Sequence, residues 1–454
     1  MVFFVFFVFK CFLEAAMKKT LFLSTLILLL FSVNFYAATC RVTKAADTND
    51  GSCTAGDCSL REAVVEPTCT VIDFSLDLVG VPVGLTQGEI FIGRKLAIQG
   101  WGADAITISG NNLGWIFNIA NPEVVISGVT LTGGNGGAVR GGTITLDRVY
   151  VTGNHTDALL GIIRSSYIVL RNSTIAGNYA PVHNFDTAVI VTGHGEITNS
   201  SICDNSGAAI YTSGGLIAAY NSTIANNAPQ GIIIQDAGIF TVGNSIAIGA
   251  FTDHSFRGDF ESLGNNIVRD APGSWPMFYG TTDLPNVDPM LAPVAYQGGH
   301  IPVCAVLPGS PAIDAGNNAI AINQGLTTDQ RGHVRIFDGN GNGTATVDIG
   351  AFEFGAPAAL APVSISGRVL TPGGQPVRLI NVSLTDLQGN ALQAFTSSLG
   401  WFTFDQVPAG GVYRISISSK RYLAPEKTIF ADQTLIDADI IVTGVGGRGI
   451  SDLK

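Results

Sequence analysis

Asp338-Gly339-Asn340-Gly341-Asn342-Gly343 is the stretch whose residue types most directly suggest chemistry. Side-chain oxygens at its first, third and fifth positions, with glycine at the sixth, have the spacing at which a Ca2+ loop begins. The twelfth position is Ile349 rather than glutamate, with Asp348 beside it. A partial Ca2+ site built from Asp338, Asn340, Asn342 and Asp348 is therefore expected, against the plainer alternative of a Gly/Asn turn. No other cofactor is implied. Asp314, Asp329, Arg331 and Asp348 form a second polar group, expected to close the last coils of the structure, with Arg331 as a bidentate partner of one aspartate. Further back the acids are sparse: Glu123, Asp147, Asp157, Asp186, Glu196, Asp204 and Asp236. Glycoside hydrolysis needs two carboxylates at a set separation. No two of these acids share a position in successive repeats, so no catalytic residue is assigned.

Gly193-His194-Gly195 resembles one element of the polygalacturonases, but their Asn-Thr-Asp, Asp-Asp and Arg-Ile-Lys elements are missing. His194 is expected to be a turn residue.

The elements that would position these groups come from a repeat. Phrases such as Asn172-Ser-Thr-Ile, Asn199-Ser-Ser-Ile and Asn221-Ser-Thr-Ile recur between 124 and 250. Alignment puts Gly128, Arg148, Asn172, Asn199, Asn221 and Asn244 in one column, and Gly134, Asn154, Asn178, Asn205, Asn227 and Ala250 in another six residues on. Ile126, Leu146, Leu170, Ile197, Ala219 and Val242 precede the first column by two. Repeats of about 20–27 residues made of short alternating strands predict a solenoid, here a right-handed parallel β-helix. Asn tolerates the left-handed backbone of a bend. Asn172, Asn199 and Asn221 are accordingly expected to stack as a structural amide ladder rather than to bear glycans or bind ligand.

Composition mostly excludes. The 454-residue chain carries 24 basic and 35 acidic residues, a net charge of −11, and no basic cluster beyond its N-terminus, which argues against nucleic acid as a partner. Met17-Lys18-Lys19 and the apolar run Leu21 to Phe31 predict a cleaved signal peptide, with Met1 or Met17 as the start. Export makes disulfides the expectation for Cys40, Cys53, Cys58 and Cys69, paired as Cys53–Cys58 and Cys40–Cys69. The state of Cys203 and Cys304 is left open.

Ser59-Leu-Arg-Glu62 has the capping-box spacing that opens a helix. With Asp47, Asn49-Asp50-Gly51 and Ile72-Asp73-Phe74 around it, Cys58-Ser-Leu-Arg-Glu-Ala63 resembles the CSLREA domain of secreted bacterial β-helix proteins. Leu307-Pro-Gly-Ser-Pro-Ala-Ile-Asp-Ala-Gly316, Thr328-Asp-Gln-Arg-Gly332 and Asp348-Ile-Gly-Ala-Phe-Glu353 resemble the terminal region of the choice-of-anchor Q proteins. Ser366-Gly-Arg-Val and Val407-Pro-Ala-Gly-Gly-Val-Tyr-Arg-Ile look like the carboxypeptidase-regulatory-like domain, a small β-sandwich. The expected order is a leader to 38, a cap over 39–80, the β-helix over 81–355, a linker over 356–362, the sandwich over 363–443 and a tail. These resemblances imply an exported, monomeric surface protein without a membrane span after processing. It would be non-catalytic and bind carbohydrate or another surface ligand. The alternative is a polysaccharide lyase or glycoside hydrolase with its acids in loops.

Overall fold

The computed structural model describes residues 38–51, 53–156, 161–180, 188–228, 232–235, 238–252, 259–270, 280–360, 362–431 and 434–444. The signal segment with Cys11, the acids Asp157, Asp186 and Asp236, and the tail beyond 444 lie outside them. No helix among the described residues is long and apolar enough to cross a membrane.

The fold is nearly all β, a parallel β-solenoid followed by a separate antiparallel region. Each solenoid strand pairs with its equivalent one coil later. Parallel strands therefore form without helical crossovers. The register carries one inward column through Ile72, Ile98, Ile126, Leu146, Leu170, Ile197, Ala219 and Val242. All are buried. Apolar side chains stacked on their own kind give the coil its core, each worth about 1.5–3 kcal/mol for the larger ones.

From Ile126 onward the bend two residues after this column is left-handed: φ is 60° at Gly128, 53° at Arg148, 48° at Asn172, 54° at Asn199, 47° at Asn221 and 51° at Asn244. The amide ladder expected on Asn172, Asn199 and Asn221 is only a fragment. Asn199 Nδ2 donates to Asn172 Oδ1 at 2.8 Å and Asn172 Nδ2 to Asp147 Oδ1 at 2.9 Å. The buried amide of Asn221 joins nothing. These side chains turn to the flank, where Asn199 also reaches Thr328 O and Asn244 exchanges hydrogen bonds with the Asn317 backbone. The continuous ladder runs six residues later. Asn154, Asn178 and Asn205 each donate through Nδ2 to the next Oδ1, at 3.0, 3.0 and 2.9 Å, ending on Asn227. Between the two columns, Ser173, Ser200, Ser222 and Ser245 form a hydroxyl file, each Oγ accepting a backbone N–H of the preceding coil. The repeated Asn-Ser phrase is thus two devices, a bend residue and an interior acceptor.

Asn178 sits mid-ladder. It accepts from Asn154 N and Nδ2, and donates to Val151 O, Ala176 O and Asn205. Asn178→Ala strands several buried polar groups at once and is expected to cost roughly 3 kcal/mol. Chemical denaturation checks this; a loss below about 1 kcal/mol would show that the ladder relaxes around the gap.

The first coil is covered by the helix Leu60–Val65 (α1). Ser59 caps it: Oγ accepts the Glu62 N–H and Glu62 Oε2 accepts the Ser59 N–H at 2.8 Å. Arg61 bridges Asp47 to the Gly88 and Glu89 carbonyls, and Arg94 binds the carbonyls at the C-terminal end of α1. Burial would raise the Glu62 carboxyl, but the Ser59 and Asp50 N–H groups, the Thr48 hydroxyl and Lys44 hold it at about 2. Disulfides join Cys40 to Cys69 and Cys53 to Cys58 in this region.

After the last coils the chain does something the repeat does not foretell. Residues 288–355 do not close the end of the coil; they run back along its flank as a strap. Asn265 Nδ2 donates to Ala315 O, Asn244 meets Asn317, and Ala351 N donates to Thr223 Oγ1. Gln330 donates to Thr174 Oγ1 and Ser173 O while accepting from Ser201 Oγ, and His300 meets Asp104. Each contact satisfies a polar side chain or backbone group that the coils leave open on this flank. A disulfide between Cys203 and Cys304 fastens the strap. The short helix Asn318–Asn323 (α2) lies within it.

The strap delivers the chain back to the early coils, and the antiparallel region is placed there. Its strands form a three-stranded sheet and a four-stranded sheet around Ile365, Val382, Phe402, Phe404 and Ile415. Val412 is buried in the solenoid's own core cluster, and the Trp101 and Phe430 rings pack with centroids 5.0 Å apart.

Candidate functional site

The side-chain oxygens of Asp338, Asn340 and Asn342, expected to bind Ca2+, accept backbone N–H groups of their own turn. Asp338 accepts N–H groups from Gly341, Asn342 and Gly343, Asn340 accepts from Asn342, and Asn342 from Thr344. These oxygens shape successive Asx turns. Asp348, fully buried, is aimed elsewhere: its oxygens accept the Asp314 N–H at 2.7 Å and the Phe354 N–H at 2.6 Å. Asp314 in turn holds the turn through the Gly339 and Asn340 N–H groups. Asp338→Ala is expected to loosen this turn equally with and without Ca2+. A thermal shift that appears only when Ca2+ is added, and vanishes in the variant, would restore the metal reading.

Asp348 belongs with Asp314 and Glu353, whose carboxylate oxygens come within 4.8 Å of one another. The fully buried Arg335 lies beside them, Nη1 3.8 Å from Glu353 Oε2, and Nη2 donates to Asp348 O at 3.0 Å. Glu353 Oε2 also accepts the Asp348 N–H. Burial pushes the Glu353 carboxyl up to about 9 and Asp348 to about 6, further than Arg335 pulls them down. Arg335 and the backbone N–H groups supply the positive potential that a cation would bring. The cluster is the strap's polar core.

Arg331 pairs with Asp329, although not as a two-oxygen fork. Its Nε and Nη2 both donate to Oδ2, at 2.9 and 2.7 Å, while its backbone N–H takes Oδ1. The guanidinium lies 3.7 Å from the centroid of the Phe352 ring, a cation–π contact. His194 is a strand residue, not a turn residue: it sits exposed in Ala188–Thr198, in register with Tyr167, and accepts the Leu216 N–H.

A cleft of about 1220 Å³ opens where the early coils, the strap and the antiparallel sheets meet. The coils contribute Trp101, Arg148 and Asn172, the strap Tyr296, His300 and Arg331, and the sheets Gln388, Asn390, Gln406, Tyr413 and Phe430. At its back, Asp104 Oδ2 binds His300 Nδ1 at 2.9 Å and Gln388 Nε2 at 2.8 Å. Burial disfavours the His300 imidazolium, but the hydrogen bond and charge of Asp104, with Asp386 beyond, outweigh it and raise the pKa.

The carboxylates lining the cleft are all engaged. Asp73 takes Arg41, Asp329 takes Arg331, and Asp386 accepts from Gln388 N and from Asn390 N and Nδ2. Glu353 and His300 lie in the family-like motifs Asp348–Glu353 and Gln297–His300, but the sequence suggested no role for either, and Arg335 and Asp104 lie in no motif. Asp104 and His300 are 196 residues apart, and neither stands in a repeat column.

No curated protein matches the chain. Among solved structures, a doubly substituted pectate lyase from Xanthomonas campestris shares 13% identity, over 60% of this chain and 90% of that one, with a TM-score of 0.25, too low to support an argument. Residues 364–442 match the carboxypeptidase regulatory-like domain, so the antiparallel region is similar to that family.

Proposed function

We propose that this is an exported, non-catalytic surface protein that binds carbohydrate in the cleft between its early coils and its antiparallel sheets. The observation that carries this is the state of the cleft. It is large, lined with aromatic and amide side chains suited to sugar rings and hydroxyls, and its carboxylates are committed to internal partners. Paired acids free to act on a glycosidic bond are absent from its described lining. The CSLREA-like cap and the choice-of-anchor Q-like strap fit export through the N-terminal signal segment. In this reading Ser59, Arg61 and Glu62 serve the cap, and Asp314, Asp329 and Asp348 the strap. A glycan array, run beside reducing-sugar and unsaturated-product assays, tests it: binding without turnover is expected, and the absence of any glycan binding would overturn it.

One observation favours the polysaccharide-active alternative. His300 is oriented by Asp104 and stands on the cleft wall, the arrangement of an oriented general base. Turnover abolished by His300→Gln would establish that reading.

A further inference from the structure

The cleft's carboxylates are committed to internal partners, whereas two cationic donors on its wall face outward. Asp73, Asp329 and Asp386 hold internal donors on both carboxylate oxygens. Arg148, with its side chain 67% exposed, pairs with Asp147 among the described residues, Nη2 to Oδ2 at 3.2 Å. His300, 42% exposed, uses Nδ1 on Asp104, whose side chain is 5% exposed. No bond to the other ring nitrogen is present among the described residues.

Arg148 is also out of place. It occupies the left-handed bend position that the other coils of this column fill with Gly or Asn, at φ 53°. A long side chain there is strained, and strain of this kind collects where a side chain is wanted. The two flanking coils of the same column place Gly128 and Asn172 in the cleft wall. The one bulky departure from the column therefore puts a guanidinium into the cleft.

Resting on the carbohydrate-binding reading, we infer that the ligand is a carboxylate-bearing saccharide whose carboxylate is held by Arg148 and His300. A guanidinium presents paired N–H groups that match a carboxylate. Asp147 and Asp104 anchor the two donors from behind and leave their outer N–H groups free.

The test uses the full chain and uronate-containing oligosaccharides, compared by calorimetry with neutral oligosaccharides of the same linkage. Arg148→Asn installs the residue that this bend carries in other coils, so the variant is expected to fold at least as well as the parent. The wild type is expected to bind the acidic set at least about tenfold more tightly than the neutral set. Arg148→Asn, and separately His300→Gln, should lose about tenfold on the acidic set and nothing on the neutral set. Equal affinity for both sets, or unchanged acidic binding in Arg148→Asn, overturns this inference and leaves the cleft reading standing. Failure of both sets to bind overturns the two together.

Discussion

A chain lacking the Cys203–Cys304 bond, made as Cys203→Ala/Cys304→Ala, is expected to lose about 4–5 kcal/mol of stability in the strap and the coils it covers. The bond closes a segment of 101 residues, and in the chain-entropy account a loop of that length gives close to the upper end of disulfide effects. Both sulfurs are buried, so the substitution also removes packed volume. The other ties are hydrogen bonds, among them those of Gln330, Asn317, Ala315 and Ala351, each worth about 1 kcal/mol, and the packing of Ile301, Val303 and Val306 with Ile246 and Ile267. Without the covalent tie the strap should open before the solenoid unfolds. Limited proteolysis and hydrogen exchange read this directly: protection should fall over 295–355 first, with the coil interior unchanged. Uniform loss across both would show that strap and coil open as one unit, and no loss would show that the strap is held by its hydrogen bonds and apolar contacts alone.

The second large effect concerns Arg335 and Glu353. Arg335→Met is expected to cost about 3–5 kcal/mol, because it leaves a buried carboxylate cluster without its cation. The pH dependence has a definite sign. The folded pKa of Glu353, about 9, lies above its ordinary value of 4.5, so the folded protein holds a proton that the unfolded chain has released. Its contribution is full below about pH 4.5, and stability declines as pH rises towards 9, by up to about 1.4 kcal/mol per unit. Asp348 adds a decline of the same sign between 3.8 and about 6. Glu353→Gln, neutral throughout, should flatten this slope and be more stable than the parent at about pH 8 while matching or trailing it at about pH 5. Urea titrations at the two pH values decide. A variant equally destabilised at both would mean that Glu353 is ionised against Arg335 across the range.

How much of this was legible beforehand depended on whether a residue's partner lay at a fixed sequence interval. The inward column from Ile126 to Val242 was, because burial repeats once per coil and the register follows from the repeat. The bend Asn residues were legible for their backbone, since the left-handed position selects Asn or Gly by sterics. Their side-chain roles were not. The expected ladder fell on the wrong column because both columns contain Asn, and only the packed coil decides which amides face the interior and which face the strap.

Asp348 shows the same limit. Its place beside a Gly/Asn turn suggested a ligand loop, yet its bonds go to Asp314 and Phe354. Asp104 and His300 had no common interval, and the strap that joins them reverses direction against the coil. By itself, then, the sequence determined the solenoid, its inward column, its bends and the helical cap, all products of local sterics and periodic burial. The strap's course, the buried Arg335 cluster and the cleft were decided only by tertiary structure, because each depends on which distant polar groups a non-repeating segment can satisfy when it packs back onto the coil.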